Sequence, residues 1–196
     1  DDATIIAEMI VPKSHNGDQF FNNRARAMIS GLLMHLVLSQ PRAKWTLSTI
    51  WKWLRLNDED WINLIGDMSI SPDEVVRAAA NEIVSVYNRS EKTFASILST
   101  AQECTDFLKS PSLQRSLQVS NFNINSLSDG KTTLFVVIPP DKLQSHAQWL
   151  RLVVTTAMRS VIRNKNKRVT FVLDEFAALG YLPEINTALS TYAGYN

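Results

Sequence analysis

The chain reads Arg168-Val169-Thr170-Phe171-Val172-Leu173-Asp174-Glu175-Phe176 near its C-terminal end. The β-branched and apolar run predicts a short buried strand, and the two carboxylates that follow would lie at its C-terminal edge. A Mg²⁺-nucleotide site needs such a pair, because one carboxylate holds the water shell of the metal and another polarises the attacking water. Asp174 is the candidate for the first role and Glu175 for the second. The alternative is a parallel strand that ends in acids at the start of a helix, whose dipole favours acids without any catalytic role.

The segments around this pair alternate between strand and helix patterns. Residues 132–138 are β-branched and aromatic, residues 145–163 fit a helix, residues 169–173 form the strand above, and residues 184–192 again fit a helix. This βαβα order predicts parallel strands joined by a right-handed crossover, with the acids at the edge where α/β sheets hold their ligands. In that setting the carboxylate pair is the arrangement of a Walker B motif.

Before residue 118 the sequence predicts successive helices and no strands. Residues 18–40 carry apolar residues at spacings of three and four, which predicts a central core helix. That stripe consists of Phe21, Ala25, Met28, Leu32 and Leu36. Shorter helices are predicted over residues 46–56 and 58–68. A capping box with Ser71 as N-cap and Glu74 reaching back predicts the next helix, and Ser90 should cap the one after it.

The composition is that of an ordinary globular chain, with 196 residues of which 45% are hydrophobic and 20% charged. Its apolar runs are too short for a membrane span or a signal peptide, so any membrane attachment is expected outside this chain. The single cysteine, Cys104, excludes an internal disulfide and is expected to pack against a helix. Residues 1–130 carry a net charge of −3 and residues 131–196 a net charge of +4. A protein partner therefore suits the first part better than DNA bound by phosphate neutralisation alone.

A second nucleotide-site motif, the phosphate-binding loop, is missing. Gly130-Lys131-Thr132 resembles its end, but the full pattern needs glycine where the chain has Asn125. The tripeptide also comes directly before a predicted strand, whereas a phosphate-binding loop follows a strand and opens a helix. We therefore predict a turn at Asp129-Gly130 and no ATP turnover by this chain alone.

Several segments together resemble the type IV secretion and conjugative coupling proteins of the TraG/TraD type, which are motor ATPases. The resemblance covers nearly the whole chain, and its most specific parts are residues 137–141 and 173–180. The matching segments are residues 7–12 (AEMIVP), the helix of residues 20–38, residues 90–101 (SEKTFASILSTA), 127–134 (LSDGKTTL), 137–141 (VIPPD) and 173–180 (LDEFAALG).

The resemblance implies a mainly α chain: an all-α domain inserted in a RecA-like α/β nucleotide-binding domain. Residues 1–128 would be the all-α, substrate-receptor domain, and residues 129–196 a βαβα piece of the nucleotide-binding domain. The membrane helices and the Walker A motif are expected before this chain and further strands after it. ATP and Mg²⁺ would be cofactors of the full-length protein, where Asp174 and Glu175 would act, and none is expected in this chain.

The resemblance also implies a function and partners. The all-α domain would recruit effector proteins, through their C-terminal signal domains, or relaxase–DNA complexes of the relaxosome, at the cytoplasmic face of the bacterial inner membrane. The full-length protein would be a hexamer that meets other secretion-system subunits, and this chain alone a monomer. The sequence leaves open whether the cargo is protein, DNA or both.

Two sets of side chains are candidates for partner binding in the all-α part. The first set is aromatic, because tryptophan is frequent among interface hot spots, although each ring could instead belong to the core. Its members are Trp45, Trp51, Trp53 and Trp61. The second set could pair DNA phosphates beside stacking rings, or could be a solvated helix face. Its members are Arg42, Lys44, Lys52 and Arg55.

The basic run of residues 163–168 connects the predicted crossover helix to the Walker B strand. It fits a solvated loop at the C-terminus of that helix, and a DNA-facing role in a pore is the alternative. Trp51 and Trp53 are two residues apart, so they cannot share one helix face and one of them could be exposed.

Overall fold

A computed structural model of the chain describes residues 2–11, 19–164, 167–174, 176 and 185. The described residues form eight α-helices and four short 3₁₀ segments, so the prediction of a mainly α chain is confirmed. The helices are α1 (Asp2–Ile10), α2 (Gln19–Ser39), α3 (Leu47–Trp53), α4 (Asp58–Ser69), α5 (Glu74–Arg89), α6 (Glu91–Cys104), α7 (Pro111–Ser116) and α8 (Leu143–Asn164). The 3₁₀ segments are Arg42–Lys44, Asp106–Lys109, Ile124–Asp129 and Pro140–Lys142. No described helix is both long and apolar enough to cross a membrane.

The chain divides into two compact units between Val119 and Ser120. The domain boundary expected from the sequence lies nine residues later, after residue 128. Each unit is described separately below, the helical unit as residues 1–119 and the C-terminal unit as residues 120–196.

Helix α2 is the centre of the helical unit, as predicted from its apolar stripe. It packs against α1, α5 and α6. Of the predicted stripe, Ala25, Met28, Leu32 and Leu36 are buried, and Phe21 is half-buried. Burial of such side chains is the main stabilising contribution in a helical bundle.

The helix starts follow capping chemistry, with one correction to the prediction. Ser90 accepts a hydrogen bond from the Thr93 amide at 3.2 Å and caps α6 as predicted. Helix α5 is capped by Asp73, whose carboxylate accepts from the Val76 amide at 3.0 Å. The prediction of Ser71 as the N-cap was wrong. The Ser71 hydroxyl accepts a hydrogen bond from the Asp73 amide at 3.3 Å and so stabilises the turn before the helix. Both residue types cap well, and the local geometry favours the one nearer the helix.

Helix α8 is the main element of the C-terminal unit and lies where residues 145–163 predicted a helix. It packs on the 3₁₀ segment Ile124–Asp129. The Asn125 side-chain oxygen accepts hydrogen bonds from the Ser160 hydroxyl at 2.7 Å and from the Asn164 amide at 2.9 Å. These two hydrogen bonds therefore join the end of α8 to the turn before residue 130.

The prediction of two strands in a βαβα order was wrong for the described residues. Neither residues 132–138 nor residues 169–173 form a strand ladder. Both segments line a cavity of about 530 Å³, together with residues of α8. A strand exists only where a neighbouring backbone about 4.8 Å away completes the hydrogen-bond ladder, and these two segments lack that pairing among the described residues. The predicted helix over residues 184–192 lies outside the described residues except for Ile185.

Candidate functional site

The four candidate tryptophans lie in different surroundings. Trp45 is the exposed one, with 42% of its surface accessible, and its indole N–H donates to the Gln40 carbonyl at 2.8 Å. Trp51, Trp53 and Trp61 are half-buried. The Trp53 ring packs on buried His35, with ring centroids 5.6 Å apart. Neither Trp51 nor Trp53 is fully exposed, contrary to what their spacing had suggested for one of them.

Trp51 belongs to a network centred on Arg55. The Arg55 guanidinium lies 4.7 Å from the Trp51 ring centroid, within the range of a cation–π contact. It donates to the Gln102 carbonyl at 2.7 Å and to the Asp106 carboxylate at 2.6 Å. It also donates to the Trp51 carbonyl and the Thr105 hydroxyl. These contacts tie the end of α3 to the end of α6 and engage Arg55 within the fold.

The charge of Asp106 is stabilised by the same network. Burial alone would raise its pKa, but hydrogen bonds and charges from Lys109 and Arg55 hold the pKa of Asp106 below its ordinary value. Lys109 donates to the second carboxylate oxygen at 2.7 Å. A carboxylate held between two cations favours the folded state only while it is ionised.

The other three basic candidates differ from Arg55. Arg42, Lys44 and Lys52 are exposed. Lys44 donates to the Gln40 side-chain oxygen at 3.2 Å, close to the Trp45 indole bond. These three cations remain accessible to a partner, whereas the guanidinium of Arg55 is largely occupied.

An apolar groove opens on the surface of the helical unit between α4, α5 and α6. Its volume is about 350 Å³. Phe94 packs against two other aromatic rings in its lining: the Tyr87 and Phe94 rings pack edge-on at 5.4 Å, and the Trp61 and Phe94 centroids are 6.3 Å apart. Ile62 also lines the groove and is 69% exposed. A concave apolar surface of this size is what binding sites commonly present.

Sequence reasoning placed only Trp61 of this groove among its candidates. It missed Ile62, Val84 and Tyr87, which are exposed apolar residues in the lining. A signal was present, because Ile62 and Ile65 with Gly66 and Ser69 recur three and four residues apart on α4. The exposure of that face could not be predicted, since an apolar helix face normally indicates core.

The structure describes only one member of the carboxylate pair. Asp174 is exposed and lines the cavity of the C-terminal unit. Glu175 lies outside the described residues. Among the described part of the chain, no group of histidine, cysteine and acidic side chains could hold a metal ion.

The loop that resembles a phosphate-binding loop is a turn, as predicted. Gly130 has a positive φ of 76°. The Asp129 carboxylate accepts hydrogen bonds from the Lys131 amide at 2.7 Å and the Thr132 amide at 3.0 Å. The hydrogen bond from the Lys131 backbone N–H, together with those from the Thr132 hydroxyl and backbone N–H, holds the pKa of Asp129 below its ordinary value. A carboxylate thus takes the amides that a phosphate would need, so these residues do not fit a nucleotide phosphate.

Comparison with known proteins defines the class of this chain as a component of type IV secretion. The model of the family "Type IV secretory system Conjugative DNA transfer" matches residues 1–196. The chain belongs to that family. No solved structure matches it significantly.

Individual relatives are similar over different shares of the chain. A type IV secretion system-coupling protein VirD4 of Bartonella henselae is 25% identical over 87% of this chain and 27% of its own length. A conjugal transfer protein TraG of Rhizobium radiobacter is 32% identical over 55% of this chain and 17% of its own length. A conjugal transfer protein TraG of Escherichia coli is 23% identical over 99% of this chain and 34% of its own length. The chain therefore spans about a third or less of these relatives.

Proposed function

We propose that residues 1–128 are the all-α, substrate-recognition domain of a type IV secretion coupling ATPase. In this proposal the domain is inserted in a RecA-like nucleotide-binding domain, to which residues 129–196 belong. Family membership supports the class of machine, and the groove on the helical unit supports the recognition role. That groove is the observation that carries the proposal, because a concave, mostly apolar surface lined by aromatic side chains is typical of binding sites.

The substrate of the proposed domain is a secreted effector protein or a relaxase–DNA complex, which it passes to the secretion channel. The intact protein would act as a hexamer at the cytoplasmic face of the bacterial inner membrane, in contact with other secretion-system subunits. This location and assembly are inferred from the resemblance to coupling proteins.

The nucleotide part of the proposal concerns the intact motor. There Asp174 would hold the water shell of Mg²⁺ and Glu175 would polarise the water that attacks ATP. The Asp129 turn supports the view that the phosphates are bound by another part of the intact protein. This chain alone is expected to hydrolyse no ATP above background.

Direct DNA contact by the helical unit is the second candidate. The exposed cations Arg42 and Lys44, which neighbour Trp45 in the chain, and exposed Lys52 on α3 favour it, since cations with an adjacent ring can bind single-stranded DNA. Arg55 contributes little to such a surface because its guanidinium is engaged with Asp106 and Gln102. The net charge of −3 over residues 1–130 opposes DNA binding further.

A salt titration separates the two candidates. The purified chain is titrated with a C-terminal segment of a secreted substrate of its own system and, separately, with single-stranded DNA. Between about 50 and about 200 mM salt, phosphate binding should weaken at least about tenfold, whereas docking on apolar anchors with a few flanking charges should weaken much less. If neither ligand binds at micromolar concentration, the recognition role and the DNA role are both wrong.

A further inference from the structure

The groove on the helical unit has a length and a shape that match one kind of ligand. Along α4 its lining extends from Asp58 to Ser69, which is about 16 Å or three helical turns. Ile62 and Gly66 lie one turn apart on this face, and Val84 and Tyr87 lie at i, i+3 on α5. Two parallel rows of this kind, with an aromatic cluster between them, accept an amphipathic helix whose anchors are three and four residues apart.

Gly66 is the most open point of the groove. A Cβ atom at Gly66 would meet no other atom within 4 Å, although the residue lies in the interior of α4. Glycine lowers helix stability by about 1 kcal/mol relative to alanine, and no contact among the described residues of the helical unit requires it here. A ligand helix that packs closely over α4 would favour it, because only glycine leaves room for a close approach.

The charges around the groove are mostly acidic. Asp58 lines the groove, and Glu59 lies one turn before Ile62 on the same side of α4. Every charged residue of α4 is acidic. Residues 58–94 carry eight acidic and three basic side chains, a net charge of −5. No lysine or arginine is among the described residues that line the groove.

This charge pattern argues against two other occupants. A nucleic acid would meet repulsion from the acidic border. A second copy of the chain, bound through the same face, would bring two acidic borders together, because a two-fold interface pairs a surface with itself. A ligand with basic residues beside its apolar anchors is complementary to both features.

We propose that this groove binds an amphipathic helical segment of a secreted substrate, with apolar anchors three and four residues apart and lysine or arginine at its flanks. The proposal rests on the recognition role of the helical unit. The anchors would contact Ile62, Val84 and the Trp61-Tyr87-Phe94 cluster, and the basic flanks would lie against Asp58 and Glu59.

The direct test uses two designed peptides and the whole chain. The first peptide has about 14 residues, with leucines at spacings of three and four and lysine and arginine at the remaining positions. The second peptide replaces every basic residue by glutamate. The wild-type chain should bind the basic peptide at least about tenfold more tightly than the acidic one. Equal affinity for the two peptides would overturn the proposal.

Variants of Gly66 and Asp58 show whether the groove is the site. Gly66→Leu fills the opening of the groove and should weaken binding of the basic peptide at least about tenfold, while the unfolding midpoint stays the same or rises. Asp58→Lys should reduce the preference for the basic peptide. Ser99→Leu is the matched control, because Ser99 is an exposed, uncharged residue of α6 outside the groove lining, and it should leave binding unchanged. Unchanged binding by Gly66→Leu would contradict the proposal, as would concentration-dependent self-association that Gly66→Leu abolishes.

Failure of the groove is distinguishable from failure of the recognition role. The natural substrate segment of the salt titration is tested on the wild-type chain and on Gly66→Leu. If both bind it equally, the groove is not the site although the recognition role stands. If neither binds it, the recognition role itself fails.

Discussion

At the scale of single residues, Arg55 and His35 make contacts between parts of the helical unit that are far apart in the chain. Arg55 was a candidate for DNA contact and instead joins α3 to the end of α6. His35 drew no attention in the sequence and is a buried imidazole of the core, against Trp53. Both outcomes depend on contacts between residues far apart in the chain, and neither composition nor spacing can indicate such contacts.

The Arg55 network predicts a specific loss of stability. Arg55→Ala removes charged hydrogen bonds to Asp106 and to the Gln102 carbonyl, and it should lower the free energy of unfolding by about 1–3 kcal/mol. Lys52→Ala, an exposed change three residues away, should stay within about 0.5 kcal/mol of the wild type. Urea unfolding measures both. Equal effects of the two substitutions would show that the network contributes nothing.

The burial of His35 predicts a pH dependence of stability. Burial lowers the pKa of His35 from 6.5, although the charge of Asp67 partly offsets this. The unfolded chain then takes up a proton at a higher pH than the folded chain does. This contribution to stability is therefore complete above pH 6.5 and decreases as the pH falls below it, by at most about 1.4 kcal/mol per pH unit.

The measurement for His35 is the free energy of unfolding between about pH 8 and about pH 5, for the wild type and for His35→Leu. The variant should show a smaller decrease towards acid pH, whatever its stability at neutral pH. Parallel curves for the two proteins would exclude His35 as the source of the pH dependence.

At the scale of elements, periodicity predicted the helices well and the strands badly. Helices α2, α6 and α8 follow from apolar spacing and caps, which act within a few residues of one another. The segments at 132–138 and 169–173 have the composition of strands, but a strand exists only when a neighbour completes its ladder. In the described part of the chain both segments line a cavity. The sequence of one segment does not show whether a neighbour will pair with it.

The contact between α2 and α5 is a close helix–helix approach. A Cβ atom at Gly31 would lie 2.5 Å from the Ala79 Cβ atom, so glycine is required there by packing. Gly31→Ala should destabilise the chain by about 1–3 kcal/mol, because neither backbone can yield easily. Thermal unfolding provides the measurement.

Gly66→Ala is the matched control for Gly31, since it makes the same class of change inside a helix but in open space. It should raise stability by up to about 1 kcal/mol. Destabilisation by both substitutions would mean that helix α4 is more tightly packed at Gly66 than its surroundings indicate.

At the scale of the whole molecule, the predicted class of protein is confirmed. The roles of its helical and nucleotide-binding parts are what we propose. The LDEFAALG and SEKTFASILSTA segments are among those that carried the family resemblance, because long matching segments are specific to a family. For the groove between α4, α5 and α6 the sequence offered only the helical spacing of residues on α4, because the groove itself forms where three helices meet.

The carboxylate pair should matter only in the intact coupling protein. Glu175→Gln is expected to stop ATP hydrolysis there while nucleotide remains bound, and Asp174→Ala to weaken Mg²⁺ binding. Steady-state turnover and nucleotide binding measure the two effects. Wild-type turnover by an intact Glu175→Gln protein would contradict the role assigned to Glu175, and turnover by the present chain would contradict the absence of a phosphate site.

The recognition role is tested most directly by photo-crosslinking in the intact coupling protein during substrate export. A photoreactive side chain at Ile62, in the groove, is compared with one at exposed Glu103 on α6. The predicted result is a covalent adduct with a secreted substrate from position 62 and little or none from position 103. Export that continues without any substrate adduct at position 62, or with equal adducts at both positions, would contradict the assignment of the groove as the docking surface.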